Sequence, residues 1–320
     1  MRSEKKFNDL YLSISKEVTK SMLKEKAVYE RKRQNFMKNF CFYFYGILLI
    51  LIFIWFHMTY GSIREMIFPF LIIAVFTEAA LLLIASMIYP ARSRSINAQF
   101  KGVILQRIAN SFGFKHSYIS PMKADDFTES GFDTNFDFFK SEDYLFGTLD
   151  NGSEVMLSEI ALSRMVRDQE GNYSEQTTYE GVYAKVLIPN AYYATMELKQ
   201  NDITKTFSKS RVEMESSEFE KKYDILAENR MQALKVFDPE VIQSVLKADE
   251  LGLKQLQIKI RYGTMYIRFP RKIFLEMKGE GSFLRNDIKA YYDEMGIIFD
   301  LIEKITDSVI RNCNLDRSGN

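Results

Sequence analysis

The 320-residue chain holds two histidines and two cysteines, so any reaction needing an imidazole or a thiolate must be built from four side chains. His57 sits inside a long apolar run and His116 stands in a predicted loop. No His-Glu-x-x-His pair exists, so a zinc-protease site is excluded and a histidine-dependent triad would rest on His116 alone. A histidine satisfied by its own fold is the plainer reading. Cys41 lies at the edge of the same apolar run, and Cys313 has no second cysteine or histidine near it in sequence. That leaves neither a thiolate metal site nor a disulfide scaffold. Gly147 and Gly152 have phosphate-loop spacing, but Gly152-Ser153-Glu154 stands where that loop needs its lysine. Gly279-Glu280-Gly281 lacks the third glycine and the strand-to-helix setting of a dinucleotide site. Asp133-Thr134-Asn135-Phe136-Asp137 offers the first three oxygens of a calcium loop. It then places Phe138 where the turn needs glycine and Tyr144 where the last ligand should be glutamate. An acidic, solvated surface accounts better for residues 125–143. No catalytic, cofactor-binding or metal-binding residue is assigned.

The one carboxylate with a positive functional argument is Glu78, the single charge in the apolar stretch Ile67 to Tyr89. At mid-bilayer an ionised carboxylate costs about 3 kcal/mol on insertion scales, so it should be neutral, paired or turned to a partner or an aqueous path. Pairing of helices through Thr77 and Ser86, contact with a partner, and ion or proton conduction in an oligomer all remain open. The setting is what makes the residue unusual. Phe40 to Tyr60 carries no charge at all, and at about 1.5 Å per helical residue either stretch reaches across the roughly 30 Å of a hydrocarbon core. Two spans, at about 40–60 and 67–89, are expected to form a transmembrane helical hairpin over residues 40–90.

Charge supports that expectation once divided by segment. The formal +1 is a +6 arm over residues 1–39, a −1 hairpin, and −4 over residues 91–320. Lys24, Lys26, Arg31, Lys32, Arg33 and Lys38 precede the first span; Arg92 and Arg94 follow the second. By the positive-inside rule both termini face the cytoplasm and Gly61 to Met66 faces outward. The long basic lead and the absence of a cleavage site argue against a signal peptide. Those eight basic residues are the candidates for contact with anionic lipid headgroups. Phe7, Leu10, Ile14, Val18 and Met22 recur at helical spacing, so the arm reads as an amphipathic helix, either lying on lipid or packing on the downstream domain or a partner. A near-neutral chain is not the strongly basic protein that nucleic acid binding calls for.

The remainder reads as an α+β domain with an antiparallel sheet and packed helices, residues 91–313, with a flexible tail at 314–320. Phe100, Ile104, Ile108 and Phe112 predict a helix ending at Gly113. Asp143 to Leu149 and Glu154 to Val166 predict a hairpin about Asp150-Asn151-Gly152-Ser153. Val182, Ala184, Val186 and Ile188 alternate as a strand, and Leu256 to Ile260 with Met265 to Phe269 predict a second hairpin turning at Tyr262-Gly263. Ser217 with Glu220 has capping-box spacing, and Asp238-Pro239 supplies an N-cap and first-turn proline before a helix that stops at Gly252. Ile288, Tyr291, Met295, Ile298, Ile302, Ile305 and Val309 form a helical stripe. Tyr292, Phe299 and Leu301 widen it beyond a coiled-coil seam, which favours a helix laid across a sheet.

Three phrases carry a family resemblance: Ser141-Glu142-Asp143-Tyr144 to Gly147, Glu180-Gly181-Val182-Tyr183-Ala184, and Val212-Glu213-Met214-Glu215-Ser216-Ser217-Glu218-Phe219-Glu220 running on to Ile225. They resemble the bacterial domain-of-unknown-function family numbered 3137, with Phe237-Asp238 where that family usually has threonine. The resemblance implies a two-span, multi-pass protein of the bacterial cytoplasmic membrane without an established activity or known catalytic residues. It also implies a shared assembly with a LemA-type membrane protein as one candidate partner, with a homo-oligomer as the alternative. The expectation is a membrane-anchored, noncatalytic protein presenting an interaction or regulatory domain to the cytoplasm. The alternatives are an oligomeric transporter or channel built around Glu78, or a tethered enzyme without a recognisable motif.

Overall fold

One row of side chains organises the sheet. Following strand register in the computed structural model, His116, Leu145, Leu157, Ala184, Ile267, Ile258, Leu198, Ile225 and Val212 lie side by side across nine strands. All nine are buried. Since alternate residues of a strand face opposite sides, this row defines an apolar face, and its neighbours Val155, Val186, Met265 and Ile260 continue it.

The structure describes residues 4–58, 101–117, 122–132, 135–189, 195–201, 210–271 and 285–318. Along the chain these are α1 (Glu4–Met58), α2 (described over residues 101–111), β1 (Lys115–Ser117), α3 (Ala124–Thr128), β2 (Phe138–Thr148), β3 (Glu154–Arg167), β4 (Tyr173–Leu187), β5 (Met196–Gln200), β6 (Arg211–Val212), α4 (Ser217–Lys222), β7 (Tyr223–Ala227), α5 (Arg230–Val236), α6 (Pro239–Glu250), β8 (Gln257–Arg261), β9 (Thr264–Phe269) and α7 (Arg285–Ser318). The nine strands are ordered β1-β2-β3-β4-β9-β8-β5-β7-β6, and every pairing is antiparallel. Among the described residues the edge strands are three and two residues long. The chain divides into two compact units, Met1–Tyr11 with Ile104–Asn320, and Leu12–Val103.

In the first unit, α6 begins where Asp238 Oδ1 accepts the Glu240 and Val241 N–H groups and Pro239 occupies the first turn. It ends at Gly252, whose φ of +94° is the left-handed stop expected. The cap of α4 is Ser216, whose side chain accepts the Phe219 N–H, one residue earlier than the sequence spacing suggested. Tyr262 and Gly263, at φ +48° and +83°, make the tight β8–β9 turn. The α7 stripe, including Tyr292, Phe299 and Leu301, is buried within this unit. Helix α7 touches the β2–β3 turn, where Asn151 donates to Thr306 and Asp307, α5, where Ser308 and Asn312 donate to Lys235 O, and the cap of α6, where Arg311 pairs with Asp238. The segment around α3 packs on the other face of the sheet. Phe127 and Phe132 are buried there with Tyr144, Ile160, Leu162, Tyr183 and Tyr266. Residues 125–143 are therefore not simply an acidic surface: the phenylalanines between the acids pack inward.

The second unit corrects the expected architecture. The basic arm and the first apolar run are a single helix, α1, continuous from Glu4 to Met58, where the sequence suggested an arm and a separate span. Among the described residues no helix is long and apolar enough to cross a membrane. That overturns the transmembrane hairpin of 40–90 and the membrane character drawn from it. The multi-pass cytoplasmic-membrane location and the topology with both termini cytoplasmic fall with it. The expected second span, 67–89, and the loop before it lie outside the described residues.

Candidate functional site

Beside the middle of β4, polar side chains gather around open space. A groove of about 390 Å³ is lined by Thr177, Thr178, Tyr179, Glu180, Gln200, Gln255, Gln257, Arg268 and Pro270. The ends of β5, β8 and β9 meet β4 here, and Gly181 allows the close approach of β9's exit. A Cβ on Gly181 would stand 2.2 Å from Phe269 O and 2.8 Å from both Arg271 N and Pro270 Cα, so only glycine allows the chain leaving β9 to lie on β4. The Tyr179 hydroxyl reinforces the crossing. It lies 2.9 Å from both Val182 O and Phe269 O and donates its proton to one at a time. Burial pushes that hydroxyl's pKa well up, with Arg268 opposing, so it stays a donor.

Arg268 forms one wall. Its guanidinium lies over the rings of Phe132, at 4.6 Å, and Tyr179, at 5.3 Å, and its Nε donates to Gln257 Oε1 at 2.6 Å. Stacking plus a fixed donor sets the plane of the group. Gln255, at φ +57°, holds a left-handed conformation at the rim. The site thus has rigid walls beneath carboxamide and hydroxyl groups that both donate and accept.

A smaller groove of about 190 Å³ shares Thr177 and Glu180 with the first and adds Lys140, Glu142, Glu159 and Glu175. Glu142 and Glu159 are direct cross-strand neighbours, a like-charge pair that costs stability. The Glu175 carboxyl is held below its ordinary value by the Ser163 hydroxyl and the Lys140 ammonium.

His116 takes the β1 place in the apolar row, and the fold answers with a carboxylate. A bulge between Glu142 and Leu145 sets Asp143 at φ +52°, a conformation aspartate tolerates better than most residues. Its Oδ1 lies 3.5 Å from His116 Nε2, with the side chains 6% and 1% exposed. On α7, burial and the nearby Asp143 and Glu159 raise the Tyr291 pKa well above its usual value. This is a buried polar cluster in the core, not a histidine at an accessible surface.

Among the residues chosen from sequence, Lys24, Arg31, Lys32 and Lys38 are exposed on α1, and Lys26 and Arg33 fall on the same helix. Glu78, Arg92 and Arg94 lie outside the described residues. None of the described ones is among the residues that line the groove. Sequence reading missed Thr177, Tyr179, Gln257 and Arg268 because they sit on three strands whose pairing is not local. The available signal was the glycine in Glu180-Gly181-Val182.

A model of the family described as "Protein of unknown function (DUF3137)" matches residues 177–306. This supports the family number read from the Glu180 and Val212 phrases. The second phrase has a structural explanation: Glu220 accepts the Met214 N–H and pairs with Arg211, while Phe219 is fully buried. No curated protein matches the chain. Among solved structures, the crystal structure of the mycobacterial trehalose monomycolate transport factor A, TtfA, is similar at 10% identity over 65% of this chain and 93% of that chain, with a TM-score of 0.39. A likeness of that size carries no argument about activity.

Proposed function

We propose that the chain works as a noncatalytic interaction domain whose contact surface is the groove beside the middle of β4. The observation that carries this reading is the groove's construction. Walls pinned by Gly181, Tyr179 and the stacked Arg268 support a lining that includes three glutamines and two threonines. Preorganised polar groups of both donor and acceptor character suit recognition of a protein surface. The partner is a protein, and a LemA-type membrane protein or a second copy fits the bacterial setting that the family resemblance implies.

Site-specific photocrosslinking tests the reading. A benzoylphenylalanine at Thr177 or Thr178, both exposed, should give a discrete adduct in cells. The same probe at Met231, 64% exposed on α5, should not. Thr177→Trp placed beside a probe at Thr178 should abolish the adduct without lowering Tm. Equal adducts from all three probe positions, or none from the groove, would overturn the assignment.

A further inference from the structure

Strand β4 is longer than the partner on its outer side. It runs from Tyr173 to Leu187, but its pairing with β9 covers only Val182 to Leu187. Over the first half, β3 lies along one side, with Arg167 opposite Tyr173 and Arg164 opposite Gln176. Among the described residues no strand lies along the other. Carried past Phe269, the β9 register sets Pro270 and Arg271 opposite Gly181 and Glu180. The open edge is therefore Tyr173–Tyr179, and all of it except half-buried Tyr179 is exposed.

This edge carries little of what usually keeps a strand from pairing with a neighbour. It has no lysine and no proline. Its one charge, Glu175, is drawn back across the sheet, accepting from Ser163 on β3 and pairing with Lys140 on β2. Threonine and tyrosine suit a pleated strand. The one irregularity is an extra residue at Thr178, where the register with β3 shifts; it adds local twist and leaves Tyr173–Thr177 regular.

We propose that a second copy of the chain takes this edge, the two β4 strands pairing antiparallel about a two-fold axis at Gln176. Such a pairing rests on the groove being a contact surface, since Thr177, Thr178 and Tyr179 line it, and it names the occupant. Gln176 is the midpoint of Tyr173–Tyr179, so pairing the whole open stretch with itself fixes the register. Tyr173 then opposes Tyr179, Ser174 opposes Thr178, Glu175 opposes Thr177, and Gln176 opposes its own copy. No carboxylate faces another, which a register centred on Glu175 would require. Tyr173, 65% exposed, gains an aromatic neighbour on the second copy, and two-fold symmetry makes that contact twice. One pairing closes both open edges, and its small size makes the dimer reversible.

Sedimentation velocity of the full chain over a concentration series tests this. The parent should show a reversible monomer–dimer equilibrium. Gln176→Lys and Gln176→Glu each set like charges on the axis at an exposed position and should weaken the dimer about tenfold or more with Tm unchanged. Mixing the two variants should restore association as a heterodimer. A parent that stays monomeric, a dimer indifferent to both substitutions, or a mixture that fails to associate would overturn the proposal. A monomeric parent whose Thr177 photoprobe still captures a different protein in cells would overturn the second copy alone and leave the groove as the contact surface; no adduct from the groove would remove that reading as well.

Discussion

Gly181 and Gly296 make a paired test of the packing, because one added methyl should do opposite things at the two positions. At Gly181 the new Cβ would press into backbone at 2.2 Å from Phe269 O, and relief requires the two chains to part by about 1 Å or more. Overpacking of this kind costs about 1–3 kcal/mol. Parting the chains also strains the Tyr179 hydroxyl's contact with Phe269 O, about 1 kcal/mol more. Gly181→Ala should therefore destabilise by about 3 kcal/mol. At Gly296, inside α7, the same methyl meets only Phe112 ring atoms at 3.6 and 3.7 Å, ordinary contact, while helix propensity gains about 1 kcal/mol. Equilibrium unfolding of the full chain in urea reads both. With a slope of about 2–3 kcal/mol per molar, the midpoint should fall by about 1 M for Gly181→Ala and rise by about 0.3–0.5 M for Gly296→Ala. If Gly181→Ala unfolds within about 0.5 kcal/mol of the parent, the β9 exit does not lie on β4 and the groove's wall is misassigned.

Other positions give independent checks. Asp143→Ala leaves His116 in the apolar row without its carboxylate and should cost about 3 kcal/mol in urea unfolding; Asp143→Asn, which keeps the shape and tolerates the same φ, should cost clearly less. Asp238→Ala removes the α6 cap and the acceptor for Arg311. A loss of about 1–2 kcal/mol is expected by thermal unfolding, and a neutral result would mean the cap is not formed. The Glu175 carboxyl has a lowered pKa in the folded chain, so its stabilising contribution is in place above the ordinary glutamate value and is lost as pH falls through the lowered one. Glu175→Gln should flatten the stability profile across that acidic window and leave its shape at neutral pH unchanged.

Local signals were well represented in the sequence, and non-local ones were not. The β8–β9 hairpin, the Asp238-Pro239 start of α6, the stop at Gly252 and the broad stripe of α7 depend on spacing within a few residues, and each formed where expected. The strand order did not follow, since β4 pairs with β9 and β5 lies between β8 and β7. Those neighbours are distant in sequence and share only an alternating pattern that any strand would satisfy. The core role of Phe127 and Phe132 was hidden by the acids around them. The groove was invisible for the same reason as the strand order: its lining exists only after Thr177, Gln257 and Arg268 are brought together. The separate arm and span failed because apolar content was read in windows, while α1 carries its charged and apolar stretches on one unbroken helix.

The pairing of Val182 with Phe269 governs the order in which a growing chain can finish itself. Strands β1 to β4 are sequential neighbours, so that meander can zip up while the ribosome is still working. Its last strand then waits, with an edge of unpaired amides, while β5, β6, β7 and their helices are made, because its partner is the ninth strand. Long-range closure of this kind is slow and leaves an adhesive edge exposed in the interim. A nascent chain halted anywhere between residues 188 and 263 has that edge as its permanent boundary, and holding such a chain apart from its copies is a task for whatever receives it at the exit tunnel.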